Sequence, residues 1–194
     1  MRQHSQILEE YQGKSPLLVK AIKERDVKRI AKFLFNIDLT PKQQEIVRTI
    51  AYTEHSRVTI SCVTQWGKTY CVAMGVLMYL AFRKNKRVLL ISPIIEQTKI
   101  MRNYISNFIL ASPLLESMLD IQLTGIERLK AEVSKQRLTF KNGCTLTILS
   151  AEGEAFRLMG HGGDLIVVDE SSLISDEVYR ARIIRMLGAK QTAS

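Results

Sequence analysis

Residues Cys62-Val63-Thr64-Gln65-Trp66-Gly67-Lys68-Thr69 constrain this chain more than any other stretch. They follow an alternating apolar run (Val58, Ile60, Cys62), which reads as a strand over Arg57–Cys62, and precede a helix-like run from Tyr70 to Arg83. A strand, a tight loop ending in Gly-Lys-Thr and a helix together make a phosphate-binding loop. Backbone N–H groups of such a loop face a nucleoside triphosphate, Lys68 reaches the β and γ oxygens, and the Thr69 hydroxyl holds Mg2+. The general pattern asks for Gly at position 62, where this chain has Cys62.

A second stretch reinforces the first. Asp164-Leu165-Ile166-Val167-Val168-Asp169-Glu170 carries four apolar residues in a row and reads as a strand buried on both faces. It ends in two adjacent carboxylates, and in a parallel sheet the carboxyl ends of the strands line the ligand crevice. Asp169 is then the expected Mg2+ ligand, largely through water. Glu170 is placed to polarise a water attacking the γ-phosphate. The reading requires Lys68 and the Asp169–Glu170 pair to share one magnesium-bound triphosphate.

At 194 residues the chain suits one domain with a sizeable core. It has no run of eighteen apolar residues, so no membrane span is expected. The start, Met1-Arg2-Gln3-His4, lacks the apolar segment of a signal peptide, which points to the cytoplasm. Cys62, Cys71 and Cys144 lie in apolar runs and read as reduced, buried small side chains. His4, His55 and His161 are scattered and make no metal pattern. A net charge of +9 attracts a polyanion. The basic residues also fit solvated helix faces: Lys20, Lys23, Arg25, Lys28, Arg29 and Lys32 early on, Arg83, Lys84, Lys86 and Arg87 later.

Residues 3–36 read as helical, with Ser15 as cap and Pro16 in a first turn. Thr40 caps a helix opening at Pro41, with Gln43 or Gln44 at the capping-box position. Strand Arg87–Ser92, helix Glu96–Leu110 and a short helix from Pro113 to about Leu119 follow. Segments 136–140 and 144–150 flank Lys141-Asn142-Gly143, a hairpin signal. Residues 152–163 are polar and glycine-rich and read as a loop near the nucleotide. Ser175 caps a last helix, Asp176–Leu187, whose Ile183, Ile184 and Leu187 suit packing on the sheet. Alternating strands and helices predict a three-layer α/β domain over residues 39–194, preceded by a helical segment over 1–38. The end after Gly188 is abrupt, and a further strand is expected beyond it.

Five segments together resemble the ATPase domain of the large terminase subunit, the DNA-packaging motor of tailed phages. Leu39-Thr40-Pro41-Lys42-Gln43 looks like the family's adenine-sensing segment, and Gln65-Trp66-Gly67-Lys68-Thr69 like its deviant P-loop. Leu90-Ile91-Ser92-Pro93 followed by Gln97 resembles the next strand and helix. Arg157-Leu158-Met159-Gly160 resembles the Arg-containing loop, and Ile166 to Glu170 the acidic strand. The missing Gly at 62 is common in that family. Thr64 departs from it, because the family has Arg there. The resemblance implies an additional-strand, RecA-like P-loop NTPase with a mostly parallel sheet and one antiparallel hairpin.

The resemblance further implies ATP and Mg2+ as cofactors, with residues 64–69 and Gln43 around the nucleotide. Gln43 fits the adenine edge or simply a helix start, and Trp66 fits plain packing or nucleotide contact. Arg157 is implied as an arginine finger reaching a neighbouring subunit, against a plain surface Arg in a flexible loop. The implied partners are double-stranded DNA, contacted mostly at phosphates, a portal, a small terminase subunit and further copies in a ring, all in the host cytoplasm. The family's nuclease domain is not within these residues. Two other readings fit some of the features. One is the first motor lobe of a helicase-like translocase, which normally carries Gly at 62 and a longer acidic signature than Asp169-Glu170-Ser171-Ser172. The other is a nucleotide-binding module without turnover.

Overall fold

The computed structural model describes residues 15–53, 58–61, 67–120, 137–152, 162–179 and 183. The chain divides into two compact units, one of residues up to Lys84 with Tyr104–Met118, the other of Asn85–Asn103 with Leu119–Ser194.

The first unit is helical, and its helix ends are set by local chemistry. Ser15 accepts the Leu18 N–H at the start of α1 (Pro16–Glu24), with Pro16 in the first turn. Arg25 then turns left-handed (φ 55°), and Asp26 caps α2 (Val27–Phe35) by accepting the Arg29 N–H at 3.0 Å. Within residues 15–36 the helical stretch is two helices, because the Asp26 carboxylate offers the backbone an alternative to continuing the first, and residues 3–14 lie outside the described residues. Asn36 (φ 56°) ends α2. The apolar faces of both are buried: Leu18 and Ile22 on α1, Val27, Ile30 and Leu34 on α2. Ion pairs occupy part of their basic surface, Lys20 and Arg29 with Glu24, Arg29 with Asp26, and Lys32 with Asp38. The Asp38 carboxyl is held below its usual value by Lys32.

A capping box opens α3 (Pro41–Tyr52). Thr40 Oγ1 accepts the Gln43 N–H at 3.4 Å, and Gln43 Oε1 accepts the Thr40 N–H at 3.0 Å. α4 (Lys68–Ala81) is apolar on all sides and buried from Cys71 to Ala81, as expected of a central helix. Phe35, Phe108, Tyr70 and Tyr104 form an aromatic chain with ring centroids 4.8–5.6 Å apart.

The expected strand over Arg57–Cys62 is corrected for the residues described there. Val58 to Ser61 pair with no strand among the described residues, and Val58 is exposed. Alternation of apolar residues suits a half-buried strand, but only a neighbour with free backbone groups can make one. Residues 54–57 and Cys62 lie outside the described residues.

The second unit is built on a four-stranded sheet of β1 (Arg87–Ser92), β2 (Arg137–Thr139), β3 (Thr145–Ser150) and β4 (Leu165–Val168), in the order β2-β3-β1-β4. β1 is parallel to both β3 and β4, and β2 is antiparallel to β3. The Asn-Gly signal does what it predicts. Gly143 takes φ +78°, the Phe140 N–H donates to the Cys144 carbonyl at 2.9 Å, and Asn142 Oδ1 accepts the Cys144 N–H. Helix α5 (Ile95–Ala111) follows β1; its part from Tyr104 onward and α6 (Pro113–Met118) belong to the first unit.

Leu89, Ile91 and Leu149 form one buried face of the sheet with Ile174 and Ile183. Ile183 thus packs on the sheet as its sequence position suggests; Ile184 and Leu187 lie outside the described residues. Ser175 caps the helix α7 (Asp176–Val178), accepting the Val178 N–H. β4 corrects the expectation of a strand buried on both faces, because Leu165 to Val168 are all half-buried. Among the described residues β4 pairs with β1 alone, and a strand with one free edge keeps water along it. Cys71 and Cys144 are free and buried.

Candidate nucleotide site

Gly67, Lys68 and Thr69 sit at the start of α4, in the first unit. Gly67 precedes the helix at φ +78°, a left-handed conformation that a side chain resists, and no side chain caps the first turn. Lys68 and Thr69 are the first two helical residues and are half-buried. Gln43 lies beside them: a Cβ on Gly67 would stand 3.7 Å from Gln43 Nε2. The capping box holds the Gln43 carbonyl oxygen on Thr40, which turns its NH2 group toward Gly67. Gln43 is thus both a helix-start residue and a neighbour of the loop. Tyr70 follows Thr69, and burial raises its phenol pKa.

The carboxylate pair Asp169 and Glu170 lies at the carboxyl end of β4, in the second unit. Asp169 is 6% exposed, its N–H donates to the Ile91 carbonyl at 2.9 Å, and its Oδ1 accepts the Glu170 N–H at 3.1 Å. Glu170 adopts a left-handed conformation (φ 48°) before the short turn Ser171–Leu173. Such a conformation costs a non-glycine residue of the order of 1 kcal/mol and concentrates at functional positions. Gln97, on the first turn of α5, donates its Nε2 to the Glu170 carboxylate. Gln97 Oε1 and the Ser92 hydroxyl are buried with no hydrogen-bond partner among the described residues.

Motif reading gave no role to Gln97 or Ser92. The parallel register shows why they belong here. Ile91 pairs with Val168, so the residues after β1 emerge beside those after β4. At the opposite end, Asp164 accepts the Arg87 N–H at 2.9 Å and pairs with Lys86 at 3.3 Å. Asp164 therefore pins the strand start and stands apart from the carboxylate pair.

Lys68 and Thr69 belong to the first unit, Asp169 and Glu170 to the second. Thr64, Gln65, Trp66 and Arg157 lie outside the described residues, as do most of the glycine-rich loop and His161. Among the described residues no group of three or more His, Cys, Asp or Glu side chains gathers to hold a metal ion. Within them no helix is long and apolar enough to cross a membrane.

A mixed, mostly parallel sheet with acids past one strand, accompanied by helices, defines an α/β domain of the RecA-like class, and solved structures share it. The crystal structure of the HK97 bacteriophage large terminase matches with a TM-score of 0.62 at 20% identity, over 83% of this chain and 35% of that one. The large terminase ATPase domain of Thermus phage P74-26 matches with a TM-score of 0.59 at 18% identity, over 82% and 64%. The chain thus spans about a third of the HK97 protein and under two thirds of the P74-26 domain. The family "Terminase large subunit, T4likevirus-type, N-terminal" matches residues 61–194, and the chain belongs to that family. No curated protein sequence matches it.

Proposed function

We propose that this chain is an ATP-hydrolysing motor domain that drives double-stranded viral DNA into a procapsid. The observation that carries the reading is the carboxylate pair past β4: a buried Asp169 followed by a Glu170 held by Gln97. Family membership supports the DNA-packaging role.

In this reading the Lys68 ammonium binds the β- and γ-phosphates and offsets charge that develops on them. The first turn of α4 faces the same phosphates, since no side chain caps it. The Thr69 hydroxyl and the Asp169 carboxylate are hard oxygen donors of the kind Mg2+ takes, and they would hold the ion together with phosphate oxygens. Mg2+, when bound, neutralises phosphate charge and aligns the γ-phosphate for in-line attack. Glu170 accepts a proton from the attacking water and orients it, and Gln97 fixes the carboxylate. Gln43 reads the adenine edge, and Arg157 acts on a neighbouring subunit's γ-phosphate in a ring. The assembled partners are the portal, the small subunit and DNA, in the host cytoplasm.

Phosphate release by the purified protein, with and without duplex DNA, tests the reading. Glu170→Ala should remove turnover and spare ATP binding, and Lys68→Ala should weaken binding as well. Because both groups act on one nucleotide, the Lys68→Ala/Glu170→Ala double variant should be no slower than the worse single one. No phosphate release by the wild-type protein would make the chain a binding module, and unchanged turnover in Glu170→Ala would remove Glu170 from the reaction.

A further inference from the structure

Helices α3 and α4 run side by side in the same direction, and three contacts join them. At their N-terminal ends Gln43 meets Gly67. In the middle, a Cβ on Gly75 would stand 2.9 Å from Ile50 Cβ, 3.2 Å from Ile50 Cγ2 and 3.3 Å from the Val47 carbonyl oxygen. At the C-terminal end the buried Arg83 guanidinium donates to the Ala51 carbonyl at 2.6 Å and to the Tyr79 carbonyl at 3.4 Å. Glycine costs a helix interior about 1 kcal/mol relative to alanine, so its presence where a Cβ would crowd Ile50 calls for a reason.

We propose that Gly75 is a positioning residue that sets the distance between the base-reading Gln43 and the phosphate-binding Lys68 and Thr69, and so decides nucleotide selectivity. The inference rests on the functional reading above. It follows from leverage along a stiff helix. Arg83 ties α4 to α3 near Tyr79, about four residues beyond Gly75, and Gly67 lies about twelve residues from that tie. Room for a methyl group at Gly75 needs a shift of about 0.5 Å, and the lever multiplies it about threefold at Gly67. The gap beside Gln43 then opens by about 1.5 Å, enough to break a hydrogen bond to a base whose phosphates stay seated on Lys68. The phosphate end moves as one body with α4, so affinity for phosphate alone should survive.

Titration calorimetry with ATP, GTP and inorganic tripolyphosphate, each with Mg2+, reads this without turnover. Gly75→Ala should cut the ATP-over-GTP preference about tenfold and change tripolyphosphate affinity less than about twofold. Ile50→Ala removes the Cγ2 methyl and the rest of the branch packed at Gly75, and it should lower the same preference even if Gly75→Ala fails to fold. Gln43→Ala should abolish the preference. If it does so while Gly75→Ala and Ile50→Ala keep the wild-type ratio, the positioning role is wrong and the functional reading stands. If Gln43→Ala keeps the ratio, base reading by Gln43 is wrong and the positioning role falls with it. Equal loss for all three ligands in Gly75→Ala means simple destabilisation and also overturns the proposal.

Discussion

Replacing Arg83 by Met should destabilise the helical unit by about 3 kcal/mol. Arg83 is 8% exposed, and its guanidinium satisfies the Ala51 carbonyl in the last turn of α3, which has no partner within the helix. A charge-assisted bond of 2.6 Å contributes about 1.5–3 kcal/mol. The longer bonds to Tyr79 O and Thr53 Oγ1, both 3.4 Å, add a few tenths each. The guanidinium carbon lies 3.9 Å from the Tyr79 ring centroid, worth about 1 kcal/mol. Opposing these is the relief of leaving no charge in a buried place, while the Met stem keeps most of the packing. With a urea m-value of about 2 kcal/mol/M, the midpoint should fall by about 1.5 M, read by far-UV circular dichroism of the helices. Arg83→Lys should recover less than half, since an ammonium cannot bridge the same acceptors. A midpoint shift below about 0.3 M for Arg83→Met would mean that desolvation cancels the bonds, and the clamp would be energetically neutral.

Tyr52 makes the same unit sensitive to alkali. Burial, partly offset by Arg25, Arg83 and Arg48, pushes its phenol from 10 up to about 12. The neutral form is the one the fold prefers, so its contribution is intact below pH 10 and disappears as pH rises toward 12, a loss of about 2–3 kcal/mol. The stability difference between wild type and Tyr52→Phe, measured from pH 9 to 12, should shrink or invert over that window; parallel curves would contradict the assignment. Gly143→Ala places a methyl group onto Asn85 Oδ1 at φ +78° and should lower Tm by about 3–8 °C. Adding Asn85→Ala should restore part of that loss, and no recovery would rule out the steric account. Gln97→Ala removes the donor that holds Glu170 and should lower kcat about tenfold with KM for ATP unchanged, whereas a raised KM would place Gln97 in substrate binding instead.

Much of this protein was legible without coordinates wherever the determining contact is local. Ser15, Thr40 and Ser175 were read as caps, and each accepts a backbone N–H three residues on. Asn142-Gly143 was read as a turn, and its left-handed glycine closes the β2–β3 hairpin. The β1 and β4 runs, apolar and uninterrupted, are legible as parallel strands. Val58 and Ile60 misled because alternation reports a side-chain pattern and says nothing of a partner for the backbone.

The amino-acid order by itself determined where helices begin and where the hairpin turns, because those depend on neighbours a few positions away. Tertiary structure alone decided that Gln97 reaches Glu170 across 73 positions, that Arg83 closes α3 across 32, and that Gly75 lets two helices touch at Ile50. It also decided that β4 keeps one edge free among the described residues and is only half-buried. Such contacts depend on strand register and helix approach, which arise from packing the whole unit at once and leave no mark in any short window of sequence.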